Sequence, residues 1–150
     1  MTTRLALTPL RLTAAIALAA ASLTACSTPA ETAGSSATAP ASLDGQAVDA
    51  GAFAALVEQD GVVVLDVRTP EEFAAGHLDG ALNVDVSSPQ FADRLAELDT
   101  DAPYAVYCRS GNRSAQAVTL MQQAGFEQVA HLDGGITAWS ADGGEVVTGP

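Results

Sequence analysis

The run Val62-Val63-Val64-Leu65-Asp66-Val67 constrains the fold more than any other segment. It is nearly all β-branched and apolar, with no alternation of polar and apolar positions. A strand of that kind is covered on both faces, and double cover is the hallmark of parallel sheets flanked by helices. Tyr104-Ala105-Val106-Tyr107 and the stretch from Gln128 to Leu132 read the same way, and Ala81-Leu82-Asn83-Val84 reads as a shorter strand.

Helical patterns fill the intervals. Ala50 to Gln59 places Phe53, Leu56 and Val57 on one face, behind Asp49 as N-cap. Thr69 to Phe73 starts a short helix, with Thr69 as cap, Pro70 at the first position and acids in the first turn. Ser88 to Leu98 carries Phe91, Leu95 and Leu98 at helical spacing. Arg113 to Ala124 points Ala117, Val118 and Met121 inward and stops at Gly125. Ile136 to Trp139 begins a last short helix. Strand–helix alternation without internal repeats predicts an α/β domain, with a mostly parallel central sheet and helices on both faces.

None of this pattern extends into the first 42 residues. Residues 1–25 have the parts of a secretory signal: Arg4 and Arg11, then an uncharged stretch from Leu12 to Ala25. Its fourteen residues rise about 21 Å as a helix, short of a hydrocarbon core of about 30 Å. Leu23-Thr24-Ala25-Cys26 resembles the lipobox of bacterial lipoproteins. That resemblance implies cleavage before Cys26 and a diacylglycerol on its sulfur. Several acyl chains on one residue anchor stably where one does not. Residues 26–42 then form a lipidated cysteine and a Ser/Thr/Ala/Pro tether without hydrophobic periodicity. The folded domain is expected over 43–150, extracytoplasmic and lipid-anchored to the bacterial cell membrane. The two leader arginines are separated, unlike a twin-arginine signal.

The net charge is −12, and there is no lysine. All 18 acidic residues lie beyond position 30, so removing the leader makes the chain two charges more negative. Such a chain does not bind nucleic acid by phosphate attraction. No cluster of Cys, His and carboxylates has metal-ligand spacing, no cofactor is implied, and nothing specifies an oligomeric state. Against the acidic background Arg109 and Arg113 stand close together.

They belong to the stretch Tyr107-Cys108-Arg109-Ser110-Gly111-Asn112-Arg113-Ser114, between a buried strand and a helix. Ligands of open α/β sheets bind at the carboxyl ends of strands. Ser110, Gly111 and Asn112 let the backbone curl and turn its N–H groups inward as an anion nest. The following helix adds its positive end, and the two arginines add charge. Each contribution favours a Cys108 thiolate. A buried structural cysteine is the competing reading, but apolar residues flank Cys108 on one side only.

The domain resembles a single-domain rhodanese. The carriers are Leu65-Asp66-Val67-Arg68 with Glu71-Glu72-Phe73, then Gly76-His77-Leu78-Asp79-Gly80-Ala81-Leu82-Asn83, then Val106 to Ser114, and finally Leu132-Asp133-Gly134-Gly135-Ile136-Thr137-Ala138-Trp139. The resemblance implies a sulfurtransferase in which Cys108 takes sulfane sulfur from thiosulfate or a similar small donor. The sulfur then passes through a persulfide to a thiol or cyanide. Arg109, Ser110, Gly111, Asn112 and Arg113 match the substrate-binding loop, with Arg113 orienting an anionic donor and Arg109 attracting it. Asp66, Arg68 and His77 match positions with structural roles, His77 bracing a turn.

Three other readings stand beside this one. Phosphatases and arsenate reductases of the related fold place five residues between cysteine and arginine, whereas four stand between Cys108 and Arg113. A non-catalytic sulfur-binding or interaction module typically lacks the cysteine. A thiol–disulfide oxidoreductase wants a second thiol nearby; a lipidated Cys26 leaves none and rules out a Cys26–Cys108 disulfide.

Overall fold

The computed structural model describes residues 43–149. The expected signal sequence, the lipidation expected at Cys26 and the expected tether all lie outside the described residues. The elements alternate as expected: β1 Asp44–Val48, α1 Ala50–Val57, β2 Val63–Asp66, α2 Pro70–Ala75, β3 Leu82–Asn83, α3 Phe91–Leu95, β4 Tyr104–Tyr107, α4 Asn112–Gln123, β5 Val129–Leu132 and α5 Gly135–Ala141. The five strands form one sheet in the order β1-β5-β4-β2-β3, and every pair is parallel. Among the described residues no helix is long and apolar enough to cross a membrane.

The sheet is covered on both faces. Tyr104 and Val106 join Leu65, Val67, Phe91, Leu95, Ala117, Val118 and Met121 in one cluster under α3 and α4. Ala105 and Tyr107 point the other way, into a cluster with Phe53, Leu78 and Leu132 under α1 and α5. Successive residues of β4 thus serve opposite cores, as the period-2 side-chain alternation of a strand requires. All four are at most 2% exposed, which is why the segment shows no polar positions.

Two expectations are corrected. β1 was not anticipated: it pairs only with β5, at the sheet edge, and its residues are exposed or half-buried. A solvated edge strand containing Gly45 and Gln46 carries neither the apolar run nor the alternation that marks a strand. The helix expected over Ser88 to Leu98 is regular only over Phe91–Leu95. Pro89 and an N-cap, Gln90, without a side-chain bond leave the entry as turns.

Local signals behave as chemistry dictates elsewhere. Asp49 caps α1 by accepting from the Ala52 N–H at 2.8 Å. Thr69 and Glu72 close a reciprocal capping box on α2, with Pro70 in the first turn.

Candidate active site

The loop from Cys108 to Gly111 joins β4 to α4 at the carboxyl edge of the sheet. Cys108 lies two residues beyond Val106 and points into the same core, under α4, and is 1% exposed. Its Sγ accepts a hydrogen bond from the Gly111 N–H at 3.2 Å. Burial pushes the thiol pKa up. The Ser114 hydroxyl and the N–H groups of Ser114, Ser110 and Gly111 face the sulfur and outweigh burial, so the pKa falls below its ordinary value.

Two glycines make this geometry possible. Gly111 caps α4 with φ +94°, where any side chain is strained, and a Cβ there would press on the backbone N of Gly134 at 3.2 Å. Gly135 opens α5 with φ +59° and lies against the loop; a Cβ would collide with the backbone of Cys108 and Arg109. The approach lets α5 hold the loop from beneath. Ile136 N–H donates to the Cys108 carbonyl at 2.8 Å, and Thr137 donates to the Arg109 carbonyl from its N–H at 3.3 Å and its hydroxyl at 3.0 Å. These helix-start donors would otherwise be orphaned, so loop carbonyls and helix donors satisfy each other.

The two loop arginines differ in state. Arg113 makes a two-pronged bond to Glu72, Nη1 to Oε2 at 2.6 Å and Nη2 to Oε1 at 2.8 Å. The Arg113 bond and the Thr69 N–H, working against burial, hold Glu72 down to about 2. The expectation of two full positive charges at the loop is therefore revised: Glu72 neutralises Arg113. Arg109 is exposed and, alone among the described arginines, has no carboxylate partner. Ser110 and Asn112 are also exposed, at the rim.

Asp66 and Arg68 form a buried pair at the end of β2. Arg68 donates to Asp66 from its backbone N–H at 2.9 Å and from Nη2 at 2.5 Å, and reaches the Gly76 carbonyl at 2.6 Å. Its guanidinium also lies 5.6 Å from the centre of the Tyr107 ring. Asn83 adds bonds to the carbonyls of Asp66 and Arg68. This network ties β2, β3 and the Gly76 turn together. His77 is held on that turn: Nδ1 is 2.9 Å from the Phe73 carbonyl, the ring stacks on Phe73 at 3.7 Å, and the backbone bridges to Val147. Glu72 and Ser114 stand inside the quoted motifs but had no role expected of them. The signal for Glu72 was its place in the capping box, which aims the carboxylate.

Two cavities, of about 170 and 270 Å³, flank Trp139 and share no lining residue with the Cys108 loop. Among the described residues no group of His, Cys, Asp and Glu is arranged to hold a metal ion.

The family profile described as rhodanese-like domain matches residues 49–142. A curated relative, thiosulfate sulfurtransferase GlpE of Pseudomonas putida, is 42% identical over 86 residues, 57% of this chain and 76% of the relative. The crystal structure of a rhodanese-related protein from Thermoplasma volcanium superposes with TM-score 0.61 at 33% identity, covering 68% of this chain and 97% of that one. A Rhodopseudomonas palustris protein of unknown function, described as a possible tyrosine phosphatase, superposes with TM-score 0.57 at 28% identity, over 68% and 84% of the two chains. The parallel sheet, the loop after β4 and a profile match over most of the described residues lead to one assignment: the chain belongs to the rhodanese-like domain family.

Proposed function

We propose that this protein is a sulfurtransferase that moves sulfane sulfur from thiosulfate or a similar anion to a thiol or cyanide. One observation carries the reading: a buried cysteine whose sulfur accepts the Gly111 N–H at 3.2 Å and whose thiolate the surrounding loop favours. The thiolate attacks the outer sulfur of thiosulfate, the S–S bond breaks, and sulfite leaves with the bonding pair. A Cys108 persulfide results. An acceptor thiolate or cyanide then attacks the outer sulfur, and Cys108 departs as the thiolate. The same donors that lower the thiol pKa stabilise each anionic sulfur in turn. Kinship with a curated thiosulfate sulfurtransferase supports the reaction class.

Intact mass spectrometry of the full chain after thiosulfate tests this. The chain gains one sulfur that is absent from Cys108→Ser. Failure to take sulfur from any sulfane donor favours a binding module. The possible tyrosine phosphatase among the structural relatives gives a second reading. The four-residue gap to Arg113 argues against it, because a shorter loop offers room for one sulfur rather than a tetrahedral oxyanion. Aryl phosphate hydrolysis abolished by Cys108→Ser would replace the sulfur assignment.

The leader and the Leu23-Thr24-Ala25-Cys26 motif support an extracytoplasmic lipid anchor for this activity. Cys26→Ser should move the chain from the membrane fraction to the soluble one; unchanged fractionation would remove the anchor from the reading.

A further inference from the structure

His131 has no place in the reaction above, yet it is buried at the carboxyl end of β5 beside α4, the helix that carries Ser114. In register it sits between Ala47 of β1 and Val106 of β4, neither titratable. From α4 it meets Ser114, whose Oγ is 3.4 Å from His131 Nδ1. The titratable groups around it are Asp133 and, through Ser114, Cys108. Burial, which dominates over Asp133 and a ring contact with the Leu132 backbone, lowers the ring's pKa, so the tautomer decides what the ring can do.

Ser114 has one hydroxyl proton and three neighbours able to take it. It donates to the Gly111 carbonyl at 2.9 Å, lies 3.4 Å from His131 Nδ1, and sits near enough to Cys108 to favour the thiolate, while the sulfur's own hydrogen bond comes from the Gly111 N–H at 3.2 Å. While the proton points at Gly111, a bare Nδ1 would set two lone pairs against each other in a buried site. A protonated Nδ1 removes that conflict by donating to the Ser114 oxygen. The Gly111 carbonyl also accepts from the Ala115 N–H at 3.0 Å, so it stays satisfied when Ser114 turns towards the sulfur.

We propose that His131 is a positioning residue for Cys108 that acts through Ser114: Nδ1–H donates to the hydroxyl oxygen and leaves its proton to be shared between the Gly111 carbonyl and the sulfur. The role rests on Cys108 being the reacting sulfur and deepens that reading. The hydroxyl follows the charge, turning to the sulfur as thiolate and away when the sulfur is neutral.

The test is the pH dependence of Cys108 alkylation in the full chain, read on the Cys108 peptide by mass spectrometry. His131→Leu raises the midpoint by roughly half a pH unit, about threefold less thiolate below it. Ser114→Ala raises it too, and the double variant shifts no further than Ser114→Ala alone. His131→Asn, whose amide nitrogen can stand where Nδ1 stood, restores the native midpoint. A folded His131→Leu with an unchanged midpoint overturns the proposal, as do additive shifts. Nitrogen NMR of the unaltered chain decides independently of any variant's folding: His131 is expected as the Nδ1–H tautomer, and the Nε2–H tautomer overturns the proposal. Alkylation needs no sulfur donor. A chain that takes up no sulfur but shows these shifts sinks the transfer reading and keeps this one.

Discussion

Glu72 shows how one side chain serves folding and the site together. Its carboxylate closes the capping box on Thr69 and binds both Arg113 nitrogens. Glu72→Gln keeps the cap but loses the charge, leaving Arg113 free to swing. With Arg113 no longer neutralised, the expected outcome is a lowered KM for an anionic donor with a smaller change in kcat, measured in steady-state assays; a raised KM would mean that Glu72 serves by holding Arg113 in place. The pair also carries a pH signature. Its folded pKa of about 2 lies below the ordinary carboxylate value. Its stabilisation is therefore full above the unfolded pKa and is lost as pH falls from there towards 2. Both side chains are about a third exposed, so solvent screening holds the contribution to about 1 kcal/mol. Acid titration of the melting temperature should be shallower for Glu72→Gln than for the native chain below pH of about 4.

Between β4 and α4 the element-scale design is a left-handed hinge. Gly111 supplies the φ of +94°, and its N–H then meets the sulfur. Gly111→Ala should cost about 1–2 kcal/mol from backbone strain alone. It should also slow Cys108 alkylation at neutral pH by lifting the N–H from the sulfur. Thermal melts and alkylation rates check the two parts, and loss of stability without loss of reactivity would separate the hinge from the donor. Much of this element was legible in the sequence, because a buried strand followed by small polar residues and a helix leaves few geometries. The Ser114–His131 contact was not. It joins α4 to β5 across seventeen positions, and no periodicity encodes a pairing made by register. β1 escaped for a related reason: an edge strand is defined by its partner, and its own residues are half solvated. The neutralisation of Arg113 spans forty-one positions and was equally invisible.

At the scale of the whole molecule, charge sets a problem for the proposed transfer from an anionic donor. The chain carries −12, and Arg109 is the described arginine left free to attract a dianion. One positive charge and a dianion 5 Å apart attract by about 1.7 kcal/mol in water. A charge of −12 on a sphere of roughly 16 Å radius repels the same dianion by about 6 kcal/mol without salt. A Debye length of about 30 Å at 0.01 M leaves roughly 4 kcal/mol of that, and one of about 10 Å at 0.1 M leaves about 2.4 kcal/mol. Repulsion thus far exceeds the Arg109 attraction at low salt and falls close to it near physiological strength. The expected result is a kcat/KM for thiosulfate that rises severalfold as salt goes from about 0.01 to 0.1 M, while a neutral sulfane donor shows no such rise. Arg109→Gln should lower the thiosulfate curve throughout without touching the neutral donor. A thiosulfate rate that falls with salt would mean that the local field of the loop governs encounter and the acidic surface does not.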